Sequence, residues 1–225
     1  MPSWNIHLAI AKEINKKLKL DKNSFYFGNL VPDVDYDMYI KRKDIHYYNV
    51  KCSSCPKEIL PDLNLFLKDY KKHLSNPIIM GMYIHLLTDY YYNNEIFSKY
   101  WVQDINNNIL GAKLLNGKIT NDKKKYKHYD LELYGKYLFN NKKIEMPKMN
   151  KNLLNNMKDV KNNCYSKESI EKRIKYLNKD YINKNKYKLF EKLFGLKYKM
   201  ISKQELDIMY KNCIEYILIN IKNCY

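Results

Sequence analysis

Arginine is nearly absent from this chain of 225 residues, in which Arg42 and Arg173 are the only two. The formal net charge of +17 at pH 7 therefore comes almost entirely from lysine. Base-edge and bidentate phosphate recognition favour the planar guanidinium over the flexible ammonium group. Nucleic acid is for this reason the less favoured partner. Two other interpretations remain: a solvated lysine surface that reflects AT-rich coding bias, or attraction to an anionic membrane surface or another phosphorylated substrate.

Long hydrophobic runs are also missing. No segment approaches the roughly 20 apolar residues that a membrane-spanning helix needs. The N-terminal sequence MPSWNIHLAIAKEI lacks both the basic region and the uninterrupted apolar stretch of a secretory signal peptide. The sequence therefore predicts no transmembrane segment and a cytoplasmic location.

Cysteine is sparse, and its pattern does not indicate a disulfide scaffold. The five cysteines are an odd number scattered through the chain, which fits a reducing compartment. Cys52 and Cys55 form a C-x-x-C, but no second pair or histidine lies at the spacing of a zinc ribbon. We therefore expect these two residues to be loop thiols.

What the chain does contain is a core-forming composition with helical periodicity. Hydrophobic residues make up 45% of it, and no sustained apolar/polar alternation flanked by hairpin turns is present. We predict an all-α, single-domain multi-helix bundle over residues 1–225. The first helix should begin near Ser3. Gly28 and Pro32 interrupt the next apolar segment, which we expect to end in an ordered loop that carries Asp33.

Two prolines mark the expected starts of the next helices. Pro61 suits the first turn of a helix that runs to about His73. Pro77 suits the first turn of another helix, which runs to about Tyr92. Both predictions rest on the missing N–H of proline, which costs nothing in the first helical turn.

The second half of the chain is predicted to be helical after a long connection. Residues 101–125 are dense in Asn and Gly and indicate a connection, after which a helix covers 128–139. Residues 150–225 form a helical C-terminal part without histidine, which completes the core or covers the site; we expect LNKDYINKNK to break its first helices. Ser202 and Glu205 have capping-box spacing. The last helix places four residues on one buried stripe: Leu206, Met209, Cys213 and Ile217.

Histidines and carboxylates recur at spacings that suit metal ligation. His85 and Asp89 are four residues apart on a helix, so both side chains lie on one face. His7 lies on the apolar face of the first helix, Asp33 follows Pro32, and His46 follows an acidic, tyrosine-rich loop. Such groups can converge from separate helices in the interior of a bundle.

Each of these residues also has a structural explanation that involves no metal. His85 and Asp89 could be a surface pair or a hydrogen-bonded core pair. His7 could be a packed core histidine, Asp33 the first residue of an Asx turn, and His46 a half-exposed loop residue.

Two further histidines complete the inventory. His128 and Glu132 make a second same-face pair on a helix. His73 lies near a helix C-terminus beside two lysines, and we assign it to capping or solvent.

In their order, these residues resemble the zinc-dependent phospholipases C and their phospholipase C/D relatives. Members show a histidine in an N-terminal helix, a G-x-x-x-x-D segment, a histidine 13 or 14 residues later, then H-x-x-x-D and H-x-x-x-E. The resemblance extends over residues 1–135. The matching residues are His7, Asp33 in GNLVPD, His46, His85 and Asp89 in HLLTD, and His128 and Glu132 in HYDLE.

The resemblance implies a set of zinc ligands. Asp33, His46, His85 and Asp89 would hold one zinc ion, and Asp89 would bridge to a second zinc shared with His7. By the same resemblance, the ligands of a third zinc ion would lie later in the chain. We therefore expect one to three zinc ions in the interior of the bundle.

The resemblance also implies ligands for a third zinc ion and a reaction. A third zinc would be held by His128 and Glu132, and Asp33 would be the catalytic residue that orients or deprotonates the attacking water. The expected activity is zinc-dependent phosphodiester hydrolysis of phospholipid head groups or another phosphodiester. Two alternatives stay open: a zinc nuclease-like phosphoesterase, for which Tyr-rich YYYN could stack bases, and a non-catalytic metal-binding member of the fold.

The chain departs from the family pattern at two positions. Secreted members use a processed N-terminal Trp as a zinc ligand, whereas Trp4 is internal here. The family also has a histidine shortly after H-x-x-x-D, where this chain has Asn93, Asn94 and Glu95. These departures concern the second and third zinc ions and leave the ligands around His85 intact.

Overall fold

The structure is a computed structural model that describes residues 2–35, 41–157, 160, 167–185 and 197–224. It is mostly helical, with two small antiparallel sheets. A 3-10 turn, Lys71–His73, follows the fourth helix. The helices are α1 (Trp4–Leu18), α2 (Lys22–Asp35), α3 (Arg42–Ile45), α4 (Leu63–Tyr70), α5 (Pro77–Tyr100), α6 (Lys123–Lys142), α7 (Lys151–Asn156), α8 (Lys167–Asn185) and α9 (Lys203–Lys222).

Helix α2 continues through Pro32, where the sequence predicted a loop, and that prediction is wrong. Proline removes one helical hydrogen bond, but close packing of α2 against α5 offsets this loss. A Cβ atom on Gly28 would lie 2.1 Å from the carbonyl oxygen of Ile78, and one on Gly81 would lie 2.3 Å from that of Phe25. The two glycines therefore let the helix backbones touch, and Asp33 lies on the last turn of α2.

The predicted start of α5 is confirmed, whereas that of α4 is wrong. Pro77 occupies the first turn of α5, and the side chain of Asn76 accepts hydrogen bonds from the first backbone N–H groups. This helix runs to Tyr100, beyond the predicted end. Pro61 instead closes a strand, and α4 starts after Asp62, whose carboxylate accepts a hydrogen bond from the N–H of Leu65 at 2.9 Å.

Short strands, which were not predicted, occupy two connections. β1 (Tyr48–Lys51) pairs with β2 (Ile59–Pro61) before α4. After α5, β3 (Trp101–Gln103), β4 (Ile109–Lys113) and β5 (Ile119–Thr120) form a sheet in that order, inside the region predicted as a connection. Strands of two to five residues are too short to show the alternation that identifies a strand in sequence.

The C-terminal part completes the core, as predicted. Helix α9 packs on α5 and α1, and α6 packs along α1. Ser202 and Glu205 form both hydrogen bonds of the capping box. The sequence predicted a helix break in LNKDYINKNK, residues 177–186. This prediction is wrong for the residues up to Asn185, because α8 continues to that residue and its Leu177 is buried. The predicted stripe is buried: Leu206, Met209, Cys213 and Ile217.

Two further sequence predictions concern thiols and membranes. Cys52 and Cys55 lie at the turn between β1 and β2, both fully buried and both as free thiols. They are therefore loop residues, yet their side chains belong to the core. Among the described helices, none combines the length and the apolar character needed to cross a membrane.

Candidate metal centre

Helix α5 carries two polar side chains at its fully buried middle. His85 and Asp89 are both 0% exposed, and His85 Nε2 lies 3.7 Å from Asp89 Oδ2. The other ring nitrogen of His85, Nδ1, donates a hydrogen bond to the carbonyl oxygen of Asn29 at 2.8 Å. Since a carbonyl oxygen only accepts, Nδ1 carries the proton and Nε2 presents a lone pair to the site.

Two residues from α2 and the end of α3 complete a group around that lone pair. His46 Nε2 lies 3.2 Å from Asp33 Oδ1 and 3.9 Å from Asp89 Oδ2. His85 Nε2 lies 4.0 Å from the same oxygen of Asp33. His46 Nδ1 donates to the carbonyl oxygen of Arg42 at 3.2 Å, so in the neutral tautomer that keeps this bond the lone pair of Nε2 faces the site.

His7 approaches from α1 on the other side of Asp89. Its Nε2 lies 3.5 Å from Asp89 Oδ1, while Asp89 Oδ2 faces His46 and His85. The two carboxylate oxygens of Asp89 thus point to different sets of imidazoles. This is the arrangement of a carboxylate placed between two cation positions.

The centre contains buried polar atoms that the protein does not satisfy. Both ring nitrogens of His7, Nε2 of His85 and Oδ1 of Asp89 are buried and form no hydrogen bond of ordinary geometry among the described residues. Leaving such atoms unpaired is costly, and a metal ion would satisfy three of them at once. Two overlapping ligand groups are present: His7, His85 and Asp89, and Asp33, His46 and His85.

The distances and donor types fit zinc. Ligand atoms at 2.0–2.2 Å from a tetrahedral zinc ion lie about 3.3–3.6 Å from one another. The separations from His46 Nε2 and His85 Nε2 to the facing oxygens of Asp33 and Asp89 range from 3.2 to 4.0 Å. Imidazole nitrogens and carboxylate oxygens are ordinary zinc ligands. These four separations differ from those of a zinc-bound set by a few tenths of an ångström at most.

The electrostatics of the site also suit metal ligands. Burial alone would raise the pKa of the Asp33 and Asp89 carboxyls, but the surrounding imidazoles hold both below the ordinary value. Burial, followed by the neighbouring His7, lowers the pKa of His85 to about 3. At neutral pH the two carboxylates are therefore ionised and His85 is neutral, which are the forms that bind metal.

Tyr48 is a site residue that the sequence did not reveal. Its hydroxyl donates to Asp89 Oδ2 at 3.2 Å, and its ring stacks on that of His46 with centroids 5.3 Å apart. Tyr48 begins strand β1, two residues after His46. Strand pairing therefore fixes its position, and no spacing motif in the sequence marks it.

His128 and Glu132 are not part of the two ligand groups. Neither belongs to the groups of three potential ligands found among the described residues. His128 is exposed and lines a small cavity together with Arg42, Lys124 and Lys127. Partial burial of its ring and these nearby positive charges lower the pKa of His128 to about 4. The same charges oppose a dication there, and a zinc ion at His128 and Glu132 stays a prediction.

The remaining aromatic and histidine predictions concern the surroundings of the centre. Trp4 packs edge-on against Tyr176, with ring centroids 6.0 Å apart. His73 lies half-buried in the 3-10 turn, outside the two ligand groups. In YYYN, the rings of Tyr90 and Tyr91 pack against Tyr216. These tyrosines are therefore wall and core residues here, and the half-buried Tyr90 and Tyr91 already each contact the ring of Tyr216.

Comparison with known proteins gives one match. The matching family model is that of zinc dependent phospholipase C, and the match covers residues 6–188. It thus includes the four helices that carry the sequence-predicted ligands and ends before α9. No curated protein and no solved structure matches the chain.

Proposed function

This chain belongs to the zinc-dependent phospholipase C family, and we propose that it hydrolyses phosphodiesters at a zinc centre between α1, α2 and α5. Its substrates on this proposal are phospholipid head groups or another phosphodiester. The observation that supports it most strongly is the presence of two ligand groups that share His85, with buried ligand atoms left unsatisfied.

The proposed ligand assignment follows the two sides of Asp89. Asp33, His46, His85 and Asp89 would hold one zinc ion, and His7 and Asp89 would hold a second. When bound, zinc supplies a Lewis acid that neutralises phosphate charge and lowers the pKa of water.

The protein side chains have separate tasks in this proposal. Asn29 and Arg42, through their carbonyl oxygens, fix the tautomers of His85 and His46. Asp33 is the proposed catalytic residue. Its pKa lies below the ordinary value, and a general base works best with a pKa near the operating pH. Asp33 is therefore better suited to orient the attacking water than to remove its proton.

The test combines metal content with turnover. Zinc-loaded protein should hydrolyse bis(p-nitrophenyl) phosphate and phosphatidylglycerol vesicles, and His85→Ala should lose both bound zinc and hydrolysis. His73→Ala is the matched control, because His73 lies outside the ligand groups, and it should behave as the wild type. Undiminished turnover by metal-free wild-type protein would defeat the proposal.

Single-stranded DNA should be assayed beside the phospholipid. The nuclease alternative requires bases to stack on exposed aromatic rings, whereas the rings of Tyr90 and Tyr91 already pack against Tyr216. We expect phospholipid to be the better substrate. If zinc binds and neither substrate turns over, the protein is a non-catalytic member of the family.

A further inference from the structure

A small cavity lies directly beside the metal centre. Its volume is about 220 Å³, and Tyr48, Arg42, Lys127 and Trp101 are among its lining residues. Tyr48 forms the shared wall, since its hydroxyl donates to Asp89 Oδ2 and its ring stacks on His46. A group bound in this cavity would therefore lie one side chain away from the reacting centre.

A buried lysine forms part of the cavity lining. Lys127 is 6% exposed, and its Nζ donates to Asn93 Oδ1 at 3.2 Å. The ammonium also lies 5.1 Å from the ring centroid of Phe97 and 5.8 Å from that of Trp101. Among the described residues, no carboxylate forms an ion pair with Lys127 within 4 Å. A buried cation without a carboxylate partner is costly unless an anion compensates it.

Most of the other charges around the cavity are also positive. Arg42 and Lys124 add two positive charges to that of Lys127. Glu58 is the one acidic residue of the lining, and its carboxylate accepts a hydrogen bond from Trp101 Nε1 at 2.8 Å. The lining is therefore net positive.

The cavity does not suit a cationic head group. Aromatic rings often bind quaternary ammonium groups, but here Lys127 already faces Phe97 and Trp101. A second cation would be repelled. The volume of 220 Å³ also falls below the roughly 300–1,000 Å³ of sites for drug-sized ligands. It suits a group of the size of a phosphate.

We infer that Arg42 and Lys127 bind a phosphate group of the substrate in this cavity while zinc acts beside it. The inference rests on the proposed function in taking the metal centre as the place of reaction. Arg42 supplies a planar fork for two phosphate oxygens, and Lys127 supplies a point charge. Both would contact the substrate phosphate directly, and their positive charges favour substrates with an anionic head group over those with a cationic one.

The first experiment measures binding without turnover. In the Trp4→Phe background Trp101 is the sole tryptophan, so its fluorescence reports on the cavity of the zinc-loaded protein during titration with inorganic phosphate. We expect a saturable change, and Lys127→Met should weaken phosphate binding at least tenfold at equal zinc content. Lys125→Met is the matched control: it is exposed on the same helix, lies outside the cavity lining, and should change binding less than twofold.

Arg42→Met and Lys127→Arg keep the test decisive if Lys127→Met folds poorly. Arg42→Met should also weaken phosphate binding at least tenfold, whereas Lys127→Arg, which keeps the charge, should restore most of it. Wild-type phosphate affinity in both Arg42→Met and Lys127→Met would overturn the inference.

The second experiment identifies which phosphate is bound. KM is compared in wild type and Lys127→Met for vesicles that contain phosphatidylglycerol or phosphatidylinositol 4-phosphate. If the cavity holds the scissile phosphate, KM rises for both lipids; if it holds a second phosphate, KM rises for the second lipid alone. If Lys127→Met turns over both lipids with the KM of the wild type, phosphate binding in the cavity is contradicted and the proposed function is not. If the wild type binds phosphate normally but hydrolyses neither lipid, the proposed function is contradicted and phosphate binding in the cavity is not.

Discussion

The imidazole rings of His7 and His85 are stacked, with centroids 4.0 Å apart and 7° between their planes. Two imidazolium cations at this separation would repel each other strongly inside a protein. After burial, the interaction with His7 is the next largest cause of the low pKa of His85. The stack thus favours the neutral, metal-binding form of His85 and brings the second ligand group against the first.

The number of bound zinc ions should respond to this stack. On the proposed assignment the wild type binds two zinc ions, and His7→Ala should lose one while keeping the ion held by Asp33, His46 and His85. Elemental analysis after gel filtration measures the ratio of zinc to protein, with His73→Ala as the control. A single zinc ion in the wild type that survives His7→Ala would contradict the two-ion assignment.

Tyr48 should tune the centre through its hydroxyl. Tyr48→Phe removes the donor to Asp89 Oδ2 but keeps the ring that stacks on His46. Loss of a hydrogen bond to a metal ligand typically costs about 10–100-fold in metal affinity or activity, and we expect a loss in that range by competition with a zinc chelator. Tyr47→Phe is a matched control, because that hydroxyl donates to Asp69 outside the centre. Equal zinc affinity in the two variants would show that the hydrogen bond has no role.

The ligand set could be predicted because its members are few and ordered. The chain has only five histidines, and His85 and Asp89 have a spacing that a helix converts into one face. Pro32, by contrast, led to a wrong loop. Local sequence shows the hydrogen bond that proline loses, but it does not show the contact of Gly28 and Gly81 between two helices that compensates for it.

The cavity beside the centre could not be predicted from the sequence. Lys127, on α6, lies far along the chain from Arg42 on α3 and Tyr48 on β1. In sequence Lys127 is one lysine in the run KKKYKH, and its neighbours Lys124 and Lys125 are exposed. Only its contacts with Asn93 and Phe97, near the end of α5, distinguish it in the structure. Because lysine is common throughout the chain, the sequence alone does not distinguish Lys127, and its burial becomes evident only in the folded protein.

Acid should destabilise the metal-free protein because of His85. A histidine in the unfolded chain titrates near 6.5, whereas burial and His7 lower the pKa of His85 in the folded protein to about 3. Between these values the unfolded state binds more protons, so the free energy of unfolding falls as the pH drops from 6.5 toward 3. One proton corresponds to a slope of about 1.4 kcal/mol per pH unit. Asp33 and Asp89, with lowered pKa values, add to the loss below pH 3.8.

Urea unfolding of chelator-treated protein between pH 7 and pH 5 checks this dependence. His85→Gln removes the titrating group and should flatten the curve, whereas His73→Gln should leave the slope of the wild type. Parallel curves for the wild type and His85→Gln would show that His85 titrates alike in the folded and unfolded states.

The contact between α2 and α5 should control metal binding as well as stability. A methyl group at Gly81 would lie 2.3 Å from the carbonyl oxygen of Phe25, so Gly81→Ala must push the two helices apart. Overpacking of this kind typically costs about 1–3 kcal/mol. Because Asp33 lies on α2 and His85 on α5, their facing atoms, now 4.0 Å apart, would separate further.

We therefore expect Gly81→Ala to lower the melting temperature and, in the fraction that stays folded, to weaken zinc binding at least tenfold. Ser98→Ala, on the exposed side of the same helix, is the control for both measurements. If Gly81→Ala lowers the melting temperature but binds zinc with wild-type affinity, the ligands of the two helices adjust independently of the helix spacing, and the argument that this contact positions the site fails.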